Sequence, residues 1–165
     1  MKTLKLRELG LTDGPLKYLI SMFPNLRRLD LSFTPVRRLS YLNLPAIVPD
    51  LEKLSLTSTG ITSSEMLTVI SHLPRLKTIS LGALGGGQAS NATLGNSSAM
   101  TMTDDTLARL TDILETSACV ENLNLVGNTK LGLTTRRGMR ALGDFISRVG
   151  RRCKVNCSPC MASDD

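Results

Sequence analysis

The apolar residues of this chain recur with the spacing Leu-x-x-Leu/Ile-x-Leu at intervals of 25 residues. The spacing occurs at Leu26, Leu51 and Leu76, and the segment that starts at Met1 fits the same frame. A fifth copy begins at Val120, which is 44 residues after Leu76 and therefore one period of 25 plus 19. A repeat of this length predicts an array of similar structural units, whatever the local propensities are.

Each period predicts a short strand followed by a helix. The fourth and sixth residues of each copy are apolar and alternate with polar neighbours, which is typical of a strand with one buried face. In the third copy, Thr62 and Glu65 have the spacing of a capping box, and Pro74 ends the helix that follows. One unit cannot bury its own apolar face. The sequence therefore predicts an α/β solenoid of about five coils, with parallel strands on its concave face and helices on its convex face.

The units are not expected to be identical. Asp13 is predicted to cap the first helix, and Pro45 is predicted to break the second one. The last helix is predicted at roughly 135–149, with Ile146 on its buried face. The segment CKVNC at 153–157 predicts a final edge strand.

These residues resemble the leucine-rich repeat family over nearly the whole chain. The period of 25 residues and the segments GLTD and GITS before helices are most similar to the intracellular, cysteine-containing subclass of F-box-type substrate adaptors. The resemblance implies a leucine-rich-repeat solenoid that recognises substrates for a ubiquitin ligase. The chain departs from the family at the ninth repeat position, where Asn or Cys usually bonds the backbone between coils. Here that position holds Leu9, Thr34, Thr59, Leu84 and Asn128.

The composition is consistent with one domain over residues 1–165. Aromatic residues make up only 3% of the chain and Trp is absent, so aliphatic side chains must form the core. The 19-residue insertion at 85–103 is rich in Gly, Ser and Asn and predicts a flexible loop, and 158–165 predicts a polar tail. Because the first copy starts at Met1 with nothing over its leucines, we expect either a fragment of a longer protein or another domain or chain over that end.

The sequence contains no apolar stretch of about 18 residues, and charges are spread through its first nine positions. These features argue against a membrane partner and predict a cytoplasmic or nuclear location. Cys153, Cys157 and Cys160 form a cluster, but His72 lies several coils away, so we predict free thiols and no metal site. No nucleophile has a recognisable base, and no phosphate-binding loop occurs, so the sequence predicts no catalytic residues, no cofactor and no enzyme.

The concave face of the predicted sheet is the candidate binding surface, because residues between the buried leucines project outward there. The net charge of +6 and the basic N-terminal end of this face favour an acidic protein partner. Phe33 lies beside arginines, as in an interface hot spot, although packing against the turn of its own coil is an equal alternative. The predicted partner-binding residues are Lys5, Arg7, Arg28, Asp30, Phe33, Lys53, Ser55 and Thr57.

Nucleic-acid or chromatin binding is the alternative function. Arginine pairs at 27/28, 37/38, 136/137 and 151/152 would suit it, but they fall on different sides of the predicted coils. The chain also has few aromatic residues on which bases could stack. We therefore predict a protein–protein interaction scaffold, with nucleic acid disfavoured as a partner. The 85–103 loop is a further candidate for partner binding or phosphorylation.

Overall fold

Six short segments with the alternating apolar pattern form one parallel sheet with helices between successive strands, so the protein is α/β. The computed structural model describes residues 1–57, 59, 61–81, 104–117, 119–125 and 136–156; the predicted loop at 85–103 and tail at 158–165 lie outside these ranges. The strands are β1 (Thr3–Lys5), β2 (Arg28–Asp30), β3 (Lys53–Ser55), β4 (Thr78–Ser80), β5 (Asn122–Asn124) and β6 (Lys154–Asn156). The helices are α1 (Asp13–Ser21), α2 (Leu39–Leu42), α3 (Leu44–Ile47), α4 (Ser63–Ser71), α5 (Asp104–Thr116) and α6 (Arg136–Val149).

The strands lie in the sheet in the order in which they occur in the chain, β1 to β6. Their register confirms the phase of the sequence repeat, because Leu4 pairs with Leu29, Leu29 with Leu54, and Leu54 with Ile79. Ile79 pairs with Leu123, so the register is kept across the longer interval between β4 and β5. The predicted edge strand at 153–157 is also confirmed, since β6 pairs with β5.

Backbone pairing continues beyond the three residues of each strand. The N–H of Leu6 donates to the carbonyl of Asp30, and the residue at the same repeat position of each later copy donates in the same way. These five bonds, from Leu6, Leu31, Leu56, Leu81 and Leu125, measure 2.7 to 2.9 Å. Equal repeat positions therefore lie side by side at the spacing of neighbouring strands, about 4.8 Å.

The apolar side chains of the strands form rows on one face of the sheet. The fourth and sixth positions of the five copies are at most 9% exposed, and they form one core cluster with apolar residues of the helices. Burying one such side chain contributes about 1.5–3 kcal/mol, so these rows dominate the stability of the sheet. The ten residues are Leu4, Leu6, Leu29, Leu31, Leu54, Leu56, Ile79, Leu81, Leu123 and Leu125.

The first helix begins differently from the prediction. Thr12, and not Asp13, is the N-cap residue, and Asp13 is the first residue of α1. The Asp13 carboxylate is 9% exposed and accepts the backbone N–H groups of Arg37 at 3.1 Å and Arg38 at 3.3 Å. The capping prediction for Asp13 was wrong because its carboxylate is used by the turn of the next copy, where it satisfies two backbone donors.

The second helical segment is broken, as predicted, but Pro45 is not the residue that breaks it. Asn43 separates α2 from α3 and has left-handed backbone angles, with φ of 50° and ψ of 44°. Asn tolerates this conformation better than most residues. Pro45 lies in the first turn of α3, where a missing N–H costs nothing.

Among the described side chains of the later helices, Ile146 departs from the predicted pattern. At the start of α4, the Thr62 hydroxyl accepts the N–H of Glu65 at 3.3 Å, as a capping box requires. In α6, Phe145 and Val149 are buried but Ile146 is 44% exposed, so its predicted place on the buried face was wrong. None of the helices in the described ranges combines the length and the apolar character needed to cross a membrane.

Threonine hydroxyls bond the backbone at the ninth repeat position. Thr34 is fully buried, and its hydroxyl donates to the carbonyl of Leu6 in the preceding copy. Thr59 is 2% exposed and donates to the carbonyl of Leu56 at 3.0 Å. Each hydroxyl satisfies a carbonyl that would otherwise be costly to bury.

Two residues at the eighth repeat position have left-handed backbone conformations. Glu8 has a φ of 58° and Phe33 a φ of 60°. Their N–H groups donate to the carbonyls of Ser32 at 3.2 Å and Thr57 at 2.9 Å, which are in the next copy. The hydrogen bond between copies therefore stabilises a left-handed backbone conformation that residues other than Gly adopt only at an energetic cost.

We expect Thr34→Val to lower the free energy of unfolding by about 1–3 kcal/mol, because valine removes the hydroxyl that satisfies a buried carbonyl. Thr34→Ser is the matched control. It keeps the hydroxyl and loses one methyl group, so it should cost about 0.8 kcal/mol. Urea denaturation followed by circular dichroism measures both values, and a valine variant at least as stable as the serine variant would contradict the role of the hydroxyl.

We expect Glu8→Gly to raise the free energy of unfolding by roughly 0.5–1 kcal/mol. The change relieves about 1–2 kcal/mol of left-handed strain and loses part of that gain to the larger backbone entropy of unfolded glycine. Glu8→Ala keeps the Cβ atom, so it should give no such gain. The same denaturation experiment compares the two variants, and equal midpoints would argue against strain at Glu8.

Candidate protein-binding surface

Polar side chains cover the face of the sheet opposite the leucine rows, which we call the open face. In a strand, successive side chains point to opposite faces, so the neighbours of the buried fourth position project outward. The third position is exposed in Thr3, Arg28 and Lys53 and half-buried in Thr78. The sheet register places these four residues in one line across β1 to β4.

A groove of about 610 Å³ runs over this part of the open face. Five of the eight predicted binding residues line it, namely Lys5, Arg28, Asp30, Lys53 and Ser55, whereas Arg7, Phe33 and Thr57 lie outside the lining. The remaining polar lining residues were not among the predicted ones. They are Thr3, Glu52, Lys77, Thr78 and Glu121. Three of these five residues occupy the second repeat position, so the repeat pattern of the sequence could have identified them.

Two of the three carboxylates that line the groove lie beside arginines, and the third, Glu121, forms no ion pair with any described residue. Asp30 lies 3.7 Å from the Arg7 side chain, and Glu52 lies 2.5 Å from Arg27. Four exposed cations form no ion pair with any described residue. The groove is therefore available to an anionic ligand. These four cations are Lys5, Arg28, Lys53 and Lys77.

Glu52 is held in its ionised form by the arginine of the preceding copy. The hydrogen bond from Arg27 is the main cause that lowers the pKa of Glu52. Desolvation acts in the opposite direction, and the charges of Lys77, Arg27 and Arg28 lower the pKa further. Arg27 and Glu52 thus neutralise each other at neutral pH.

Phe33 is not a free aromatic on the open face. It is half-buried, and the guanidinium of Arg7 lies 5.4 Å from the centroid of its ring, within the range of a cation–π contact. Arg7 also faces Asp30, whose carboxylate accepts the N–H of Ser32 at 3.0 Å. Phe33 therefore packs against the preceding copy, and Arg7 is held between its ring and a carboxylate.

The other two predicted residues have little freedom to contact a partner. Ser55 is only 7% exposed and lies in the floor of the groove. Thr57 is half-buried, and its hydroxyl lies 3.2 Å from the hydroxyl of Ser80. The Asn124 amide donates to the same Ser80 hydroxyl at 3.3 Å. Polar groups near the carboxyl ends of these strands therefore bond to one another.

The candidate residues for other chemistry lie apart from the groove. His72 is the C-cap residue of α4, and its Nδ1 atom lies 2.7 Å from the carbonyl oxygen of Thr68. Cys153 is 3% exposed, and burial raises the pKa of its thiol. Cys157 and Cys160 lie outside the described residues. Within the described ranges, no group of three or more His, Cys, Asp or Glu residues could hold a metal ion.

No family model matches this chain, and no curated protein matches it. The function of the open face must therefore be inferred from its own geometry and charge.

We expect Glu52 to titrate below the ordinary range for a glutamate. Because its folded pKa is lowered, the ionised group stabilises the fold above the unfolded pKa of about 4.3, and this contribution is lost as the pH falls through the folded pKa. Arg27→Gln removes the hydrogen bond that is the main cause of the lowered pKa, so it should raise the pKa of Glu52. Carboxyl-carbon NMR across the acidic range measures it.

Arg75→Gln is the matched control for this titration. Arg75 also forms an ion pair with an acidic residue one period away in the sequence, Asp50, at 3.2 Å. Its replacement should leave the pKa of Glu52 unchanged. If Arg75→Gln shifted Glu52 as much as Arg27→Gln does, the effect would be a general one of net charge and not of the hydrogen bond.

Proposed function

We propose that this protein is a leucine-rich-repeat scaffold that binds a partner protein through the open face and has no catalytic activity of its own. The observation that carries the proposal is the groove, in which four exposed cations have no ion-pair partner among the described residues. On this proposal, the open face is the concave face of a solenoid.

Two features support the solenoid. The pairing register aligns residues one sequence period apart, as stacked repeat units require. At the ninth repeat position, the buried Thr34 bonds the Leu6 carbonyl of the preceding copy, which is the task that the family gives to Asn or Cys. Thr59 bonds the carbonyl of Leu56 in its own copy. The departure from the family pattern therefore preserves the bond between copies at Thr34.

The lining of the groove favours a protein partner over a small molecule. Small-molecule sites are enclosed and mostly apolar, with a few polar groups that fix orientation. Here the lining is dominated by charged and hydroxyl side chains, with Leu4 and Leu29 as its apolar members. A basic surface of this kind suits an acidic protein surface, which it would attract over a distance and then orient.

The resemblance to F-box-type adaptors supports a more specific role. In that role, the partner on the open face is a substrate of a ubiquitin ligase in the cytoplasm or nucleus, and the protein supplies recognition only.

Nucleic-acid binding is the second candidate, and the four unpaired cations favour it as well. Phosphates would bind them by charge alone and release counterions, which makes the affinity fall steeply with salt. The aromatic nearest the groove, Phe33, is half-buried beneath Arg7 and offers little surface for base stacking. We therefore place this function below protein binding.

We expect the double change Arg28→Glu and Lys53→Glu to abolish partner capture from a cell lysate, because it reverses the charge at the centre of the groove. Both side chains are exposed, so the fold should survive, as circular dichroism can confirm. Phe33 is left unchanged, since its replacement would also disturb packing. Mass spectrometry of the captured proteins is the readout.

The matched control is Arg109→Glu with Arg140→Glu, which makes the same change of net charge on α5 and α6 at exposed positions. Partners lost from the groove variant and retained by the control support the proposal, and ligase subunits among them support the adaptor role. Identical captured proteins for wild type and groove variant would refute binding through the open face. Loss of all capture after nuclease treatment would favour nucleic acid.

A further inference from the structure

The charges of the open face are arranged differently in two neighbouring rows. At the second repeat position the signs alternate, and the row reads Arg27, Glu52, Lys77 and Glu121. Arg27 donates a hydrogen bond to Glu52, and the charge of Lys77 also lowers the pKa of Glu52. Arg27 and Glu52 of this row therefore neutralise each other, whereas Lys77 forms no ion pair with any described residue.

The third repeat position has no carboxylate across the first four strands. It reads Thr3, Arg28, Lys53 and Thr78, which the register places side by side. Two hydroxyls thus flank a guanidinium and an ammonium, and all four residues line the groove. With about 4.8 Å between strands, this line of hydrogen-bond donors spans about 14 Å. We call it the donor row.

Three polar residues at or beyond the carboxyl ends of the strands are less available to a partner. Arg7 is held by Asp30 and the ring of Phe33, and Thr57 and Ser80 lie within hydrogen-bond distance of each other. These groups have partners within the protein. Arg28 and Lys53 have no ion pair among the described residues and lie side by side in a row without a carboxylate, so the donor row offers two neighbouring cations to an anionic ligand.

The spacing of the two cations suits an extended chain with acidic side chains at alternate positions. In an extended peptide, side chains two residues apart lie on the same side and about 6.8 Å apart. The strands that carry Arg28 and Lys53 are about 4.8 Å apart, and their long, flexible side chains can cover the difference. Arginine can also bind a carboxylate through two hydrogen bonds.

We propose that the donor row binds an extended acidic segment of the partner protein, with carboxylates at alternate positions, running across β1 to β4. One carboxylate pairs with Arg28 and the next with Lys53, and the hydroxyls of Thr3 and Thr78 bond polar groups on either side. This inference rests on the proposed function and specifies the chemistry that the open face recognises.

Fluorescein-labelled peptides test the inference directly. The first probe is Gly-Thr-Glu-Thr-Glu-Thr-Glu-Thr-Gly, the second has the same composition with its three Glu residues consecutive, and the third replaces every Glu with Gln. We expect the alternating probe to bind most tightly and the Gln probe to bind at least about tenfold more weakly, as measured by fluorescence anisotropy. Amide NMR shifts should centre on Arg28, Lys53 and Thr78.

Protein variants make the test specific to the donor row. Arg28→Gln with Lys53→Gln should weaken binding of the alternating probe about tenfold. The control, Arg109→Gln with Arg140→Gln, removes the same charge from exposed positions on α5 and α6 and should change binding less than about twofold. Unchanged binding by the donor-row variant, or equal binding of the Glu and Gln probes, would overturn the inference.

Three further outcomes would limit or overturn this inference, and the first separates it from the proposed function. If capture from lysate depends on the open face but no acidic probe binds, the proposed function stands and the acidic segment is wrong. Equal binding of the alternating and consecutive probes would overturn the alternate spacing. If a single-stranded oligonucleotide binds more tightly than the peptides and loses affinity in the donor-row variant, the row binds phosphates and the proposal of an acidic peptide fails.

Discussion

The hydrogen bonds that tie each repeat unit to the next are the constraint on which the remaining structure depends. In five successive copies, the N–H of the sixth residue donates to the carbonyl of the fifth residue in the following strand. This bond fixes equal positions at the same level of the sheet. Leucines then meet leucines in the core, and polar residues meet polar residues on the open face.

The contacts between copies continue beyond the sheet. The Asp13 carboxylate accepts two backbone N–H groups from the next turn, and the Thr34 hydroxyl reaches back to Leu6. On the surface, Arg27 pairs with Glu52 and Arg7 lies over Phe33. A strand of three residues has too few bonds to stand alone, so each unit depends on its neighbours for core, turn and surface alike.

The sequence alone was sufficient to predict the features that follow from the recurring pattern of residue types. The register, the existence of a break in the second helical segment, the Thr62 cap and the final strand all follow from which residue types recur and where. It failed for Asp13, Ile146 and the role of Pro45, and it left two interpretations of Phe33 open. Contacts between copies decide whether a carboxylate caps its own helix or bonds the next turn, and whether an aromatic ring is covered by an arginine. A one-dimensional sequence pattern does not contain these contacts. For the same reason, the burial of Ser55 could not be predicted from its polar character.

The register of the sheet is unchanged between β4 and β5, although 44 residues separate their paired positions where 25 separate those of the three earlier strand pairs. Connection length and strand alignment are therefore independent in this protein. A further unit, or one fewer, would alter the width of the open face by one strand spacing, about 4.8 Å, and would leave the neighbouring rows intact. Such an architecture can change the number of side chains that meet a partner by duplication or deletion alone, without redesigning its core.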